Sequence, residues 1–186
     1  MIASGDWLTP TRATGIAAYA TAVACCAIAW SRTERRPRDF PLAMMLTVVE
    51  SLMLLDLIFN WRWMLHQLFM DLALSAHEYD VRRIPQRIVV TILLVLLVVG
   101  LLAIRRLSGG RPGASLAVSG ALLSLILWCI EVVSLHQVDH ILYHSLGGLM
   151  AVSLLWILAS LMTSIGILLD SSRDRRAVKI SKGRLR

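Results

Sequence analysis

Five apolar runs, near residues 12–31, 41–61, 88–104, 115–135 and 146–169, constrain this chain more than any other feature. Each approaches the roughly 20 residues that a helix needs to cross a hydrocarbon layer. Unpaired backbone groups find no solvent inside a bilayer, so such runs must be helical. The expected fold is all-α: a polytopic transmembrane helical bundle of five spans in one membrane domain, residues 1–186. A chain of 186 residues that is 57% hydrophobic and 17% charged is too apolar for a soluble globule. The first run is rich in alanine, and a four-span count with that run cleaved as a leader is the alternative. It lacks the basic start of a leader, which favours five spans.

The net charge of +7 invites a nucleic-acid reading, but the basic residues have a simpler arrangement. Arg32, Arg35, Arg36 and Arg38 follow the first run, Arg105, Arg106 and Arg111 the third, and seven Lys/Arg from Arg173 to Arg186 the fifth. With alternating spans these 14 of 19 basic residues share one side. The positive-inside rule makes that side cytoplasmic, with the N-terminus outside, the C-terminus inside and residues 170–186 as a basic cytoplasmic tail. The tail reads as a topology signal touching anionic membrane lipid, and no nucleic-acid partner is expected. Cys25, Cys26 and Cys129 lie within runs and have no metal or redox spacing, so they read as small buried hydrophobes.

On that topology all five histidines (His66, His77, His136, His140 and His144) fall on the outer side, together with Asp71, Glu78, Asp80 and Asp139. Glu131 and Asp56 lie in the outer thirds of their spans and Glu50 near mid-membrane. From Leu42 to Ile84 there is neither proline nor glycine. One continuous helix of about 40 residues, ~60 Å at 1.5 Å per residue, is therefore expected. Its excess over the span reads as an amphipathic outer extension behind an aromatic boundary at Trp61 and Trp63. Between Gly120 and Gly147 no helix breaker occurs either, so helix is expected to continue there too. His136, Asp139, His140, Tyr143 and His144 then share one face.

An acid in hydrocarbon costs ~2.5–3.5 kcal/mol on insertion scales, so Asp56 and Glu131 are expected to face the bundle interior with a partner. Arg62 is the candidate partner for Asp56. With His136 and Asp139 these two acids form the candidate catalytic set. For Glu50 the plainer role is a hydrogen bond between helices, to a side chain such as Ser51 or Ser124. His136, Asp139, His140 and His66 have donor types that suit a divalent metal, although no strong zinc signature is present. Haem is the lesser cofactor alternative, with His66 and one of His136, His140 or His144 as axial ligands. Tyr79, Arg82 and Arg83 are placed to clamp an anion, or simply to hold the turn before the third span. Gly147 and Gly148, with Ala151, Ser153, Ala159 and Ser160, read as close-packing positions.

The motifs Tyr79-x-x-Arg82-Arg83-x-x-Gln86 and Ser134-Leu135-His136-x-x-Asp139-x-x-Leu142-Tyr143 resemble those of a family of small, uncharacterised multi-pass bacterial membrane proteins. The resemblance covers roughly residues 50–145 and names no chemistry. It implies that Tyr79, Arg82, Arg83, Gln86, His136, Asp139 and Tyr143 belong to one site, with Gln86 and Tyr143 joining the ligand-binding set. The expectation is a bacterial inner-membrane protein whose extracytoplasmic site binds or acts on a membrane-borne or periplasmic ligand, with or without a metal. The alternative is a non-catalytic accessory subunit of a larger membrane complex or homo-oligomer.

Overall fold

A computed structural model describes residues 8–33, 40–75, 83–107, 111–134 and 136–183. Among these the chain forms α1 (Pro10–Thr33), α2 (Phe40–Phe59), α3 (Trp61–Ser75), α4 (Arg83–Leu107), α5 (Pro112–Val133), α6 (His136–Leu142), a hairpin of β1 (Ser145–Leu146) and β2 (Leu149–Met150), and α7 (Ala151–Gly183). Five stretches are long and apolar enough to cross a bilayer: Pro10–Arg32, Leu42–Phe59, Ile84–Arg106, Pro112–Val133 and Ala151–Ser172. The protein is a five-span helical bundle. Of the basic tail, the backbone continues α7 as helix to Gly183.

The core is built from four of the spans. α5 packs most extensively on α7, and α1 packs on both α2 and α7. α4, whose span has a mean hydropathy of 3.0, leans chiefly on α5 and is hardly buried. Small residues let α5 and α7 touch backbone to backbone. A Cβ on Gly120 would lie 2.6 Å from Ala159 O and 2.6 Å from Thr163 N, so nothing larger fits. Thr163, buried there, donates to Glu50 Oε1 at 2.8 Å and so ties α7 to α2 in mid-bundle. Glu50 thus makes an inter-helix bond, but its donor is Thr163 and not Ser51 or Ser124.

The structure corrects three expectations, each at the same end of the bundle. The long helix past the second run breaks at Asn60, which adopts φ 59°. Asparagine tolerates this left-handed conformation better than most residues. Asn60 N closes α2 on Asp56 O at 2.6 Å, and the Asp56 carboxylate then accepts the Arg62 N–H at 2.8 Å, capping the first turn of α3. α3 is thus a separate helix. The second expected continuation, from Gly120 to Gly147, ends at Val133, where Ser134 turns left-handed at φ 48°. α6 is therefore a separate helix that stops at Leu142, and Tyr143 continues its last turn through a bond from its N–H to Asp139 O at 2.8 Å. Third, residues 145–150 belong to a hairpin and the last span begins at Ala151. Gly147 and Gly148 form its two-residue turn, with φ 61° and 91°, the positive pair that a type I′ turn requires.

Candidate functional site

The polar groups converge where α2 and α5 end and α1, α4 and α7 begin. Because the chain breaks at Asn60, Arg62 folds back over the last turn of α2. Its Nε lies 2.7 Å from Asp56 Oδ2, and its Nη1 is paired closely with Glu131 Oε2. Trp156 of α7 donates Nε1–H to Glu131 Oε1 at 3.0 Å, while the Arg62 guanidinium lies 5.0 Å from its ring centroid. The side chain of Arg62 is 12% exposed, that of Asp56 2% and that of Glu131 0%. One guanidinium therefore joins three elements and neutralises one of the two carboxylates it bridges. Arg12 of α1 brings the second positive charge, donating to Leu57 O at 2.6 Å and Ile58 O at 3.0 Å. Those are terminal carbonyls of α2 that its own helix leaves unpaired.

The end of α5 is closed in the same manner from two other helices. His66 of α3 donates Nδ1–H to Val132 O at 3.2 Å, which leaves Nε2 as its remaining ring site. Gln86 of α4 donates Nε2–H to Val133 O at 3.1 Å and to Ser134 O at 3.4 Å. Ser134 in turn donates to Asp139 Oδ2 at 2.5 Å. Asp139 Oδ1 is buried and has no hydrogen-bond partner among the described residues.

Two small cavities flank Arg62. One, of about 170 Å³, is lined by Thr9, Arg12, Glu131, Tyr143 and Trp156 among others. The other, of about 230 Å³, is lined by Asn60, Arg62, Trp63, His66, Glu131, Ser134 and Tyr143. Tyr143 borders both although the residue is 43% exposed. Desolvation of its phenol holds the pKa above the ordinary value, with Arg62 opposing that rise and Asp139 adding to it.

Of the expected site residues, Asp56, Glu131, His66, Gln86, Asp139 and Tyr143 therefore gather at one end, linked through Arg62, Ser134 and the carbonyls of α5. His140 and His144 sit beside each other at a ring separation of 6.5 Å, both exposed. His136 opens α6 and Arg83 opens α4, but their side chains lie outside what the structure describes, as do residues Tyr79 and Arg82 entirely. Among the described residues no three His, Cys, Asp or Glu side chains converge as a metal site needs. Sequence reasoning reached Arg62 as a partner for Asp56 but missed its bridge to Glu131 and the part of Trp156. The available signal was that a buried indole N–H usually finds an acceptor.

Fold and site together define a multi-pass integral membrane protein with a charged cluster buried at one end of its bundle. No family model, curated protein or solved structure matches the chain, so the cluster is read from its own geometry.

Proposed function

We propose that this chain is a bacterial inner-membrane protein that binds, or acts on, a membrane-borne ligand on the extracytoplasmic side, in the cavity of about 230 Å³ beside Arg62, here called the chamber. The observation that carries the reading is Arg62 itself. A bundle held only for packing has no need of one guanidinium and two carboxylates in a desolvated place, because apolar residues of similar volume stabilise as well or better. Here Arg62 and Glu131 also border two cavities. The sidedness is supported by Arg32, Arg105, Arg106 and Arg111, which stand at the opposite ends of α1, α4 and α5.

Mass spectrometry of lipids retained by the protein in mild detergent tests the reading. The variant Arg62→Met/Asp56→Asn/Glu131→Gln removes the charges while keeping approximate volume, and it should stay folded and lose the ligand. Ligand retained at wild-type level by that variant refutes the chamber as a binding site. A reporter fused after Arg186 that is active only in the periplasm refutes the sidedness. Elemental analysis tests the metal expectation at His136, Asp139, His140 and His66, and a Soret band tests haem.

The accessory-subunit reading has one observation in its favour, the barely covered α4. It requires a defined complex larger than the chain and its detergent, which native mass spectrometry would detect.

A further inference from the structure

Beside the chamber lies a larger cavity of about 450 Å³, between α3, the start of α4 and the last turn of α5. Its walls are Phe69 and Met70 of α3, Pro85 and Val89 of α4, and Val132 and Val133 of α5. Only His66 and Gln86 add polar groups, and both already donate to the α5 carbonyls. The groove thus offers an occupant almost nothing but hydrocarbon contact. Phe69 is 55% exposed and Val89 40%, on helices that both pack on α5 where the spans of α2 and α5 end and that of α4 begins, so a chain can enter sideways from the bilayer. Small-molecule sites usually occupy ~300–1,000 Å³, which the groove satisfies and the chamber of about 230 Å³ does not. His66 lines both.

The charges at the chamber specify the other end of the occupant. Among the described residues three carboxylates (Asp56, Glu131 and Asp139) stand against the guanidinium groups of Arg62 and Arg12. Arg62 is already matched by two of those carboxylates. The unmet group is an acceptor, the buried Asp139 Oδ1, beside the chamber residue Ser134. A head that donates hydrogen bonds suits this place, whereas a phosphate or carboxylate adds negative charge to the excess counted among the described residues. We propose that groove and chamber form one site for a single-tailed amphiphile, with its hydrocarbon chain in the groove and a hydroxyl- or amine-bearing head in the chamber. The proposal rests on the chamber being a ligand site and names the class of that ligand.

The test uses the full chain in lipid nanodiscs and a monoacylglycerol carrying a photoactivatable diazirine in its hydrocarbon chain. Adducts are mapped by peptide mass spectrometry and competed with unlabelled long-chain alcohol, amine and fatty acid of one length, and with glycerol. Saturable labelling of the peptides holding Phe69, Met70 or Val89 is expected. Alcohol or amine should compete at least about tenfold better than fatty acid, a ratio within reach of one hydrogen bond to a charged acceptor. Glycerol, having no tail, should not compete. Val89→Trp fills the groove from an exposed position and should abolish labelling without lowering the melting temperature. Labelling that does not saturate, that ignores the head, or that fatty acid competes best overturns the proposal. If Val89→Trp labels normally while the charge-free chamber variant loses its native ligand, the amphiphile is refuted and the chamber stands. If that variant also keeps its native ligand, both readings fall.

Discussion

Replacing Arg62 by methionine isolates what the bridging guanidinium contributes. Methionine retains most of the side-chain volume but leaves Asp56 and Glu131, whose side chains are 2% and 0% exposed, without their cation. Glu131 keeps one hydrogen bond, from Trp156, and Asp56 keeps the backbone N–H at position 62. Breaking a buried pair from one side typically costs ~3–5 kcal/mol. In a chain of this size ~1 kcal/mol moves the midpoint by ~2–4 °C, so the single variant should melt on the order of 6–20 °C lower. Adding Asp56→Asn and Glu131→Gln removes the stranded charges while preserving an acceptor for each remaining N–H. The triple variant should regain most of the loss, since replacing a whole buried ion cluster is often neutral or stabilising. Thermal unfolding in one detergent, followed by helical circular dichroism, measures all three proteins. A single variant within ~1 kcal/mol of wild type, or a triple variant no better than the single, would refute the reasoning about a desolvated charge cluster.

Gly120→Val should separate α5 from α7, because the new Cβ meets backbone atoms that cannot rotate away; melting falls by at least ~2 kcal/mol equivalent, whereas Ser115→Ala on the same helix should change little. Asn60→Gly should be nearly neutral, whereas Asn60→Val must force a β-branched residue to φ 59° and should cost ~1–2 kcal/mol. Gln86→Leu strips the donor from Val133 O and Ser134 O, which should cost ~1–3 kcal/mol and increase amide exchange at the end of α5.

The spans were legible because hydropathy is a property of consecutive residues, and the need for about 20 of them leaves few alternatives. The attraction between Asp56 and Arg62 was legible too, being local and opposite in charge. The way it is satisfied was not. On a straight helix the pair stands about 9 Å apart along the axis at 1.5 Å per residue; the break at Asn60 brings the side chains to 2.7 Å. Nothing within residues 56–62 dictates that break, because asparagine also fits a helix. Asp56 supports the break locally by capping α3, and Glu131, sixty-nine residues later, adds a second partner for Arg62 that the local sequence does not announce. Ser134 is a similar case. Its left-handed turn is supported by Asp139 and Gln86, so a periodicity count that assumed unbroken helix missed that α6 is a separate, short helix. Turns set by tertiary partners leave a weak trace in local sequence.

The two ion pairs of Arg62 differ greatly in chain distance, and this has a consequence for biogenesis. Asp56 and Arg62 are six residues apart, so α2 can enter the bilayer with its boundary charge already neutralised by its own continuation. Glu131 emerges much later, on α5, and carries its charge towards a cation held in place by earlier helices. The first two helices, with Arg12 on the terminal carbonyls of α2, can therefore be a settled platform before α5 is made. A lesion at Glu131 would strand a late helix on an intact early hairpin. One at Arg62 would deprive both the early hairpin and the helix that arrives after it.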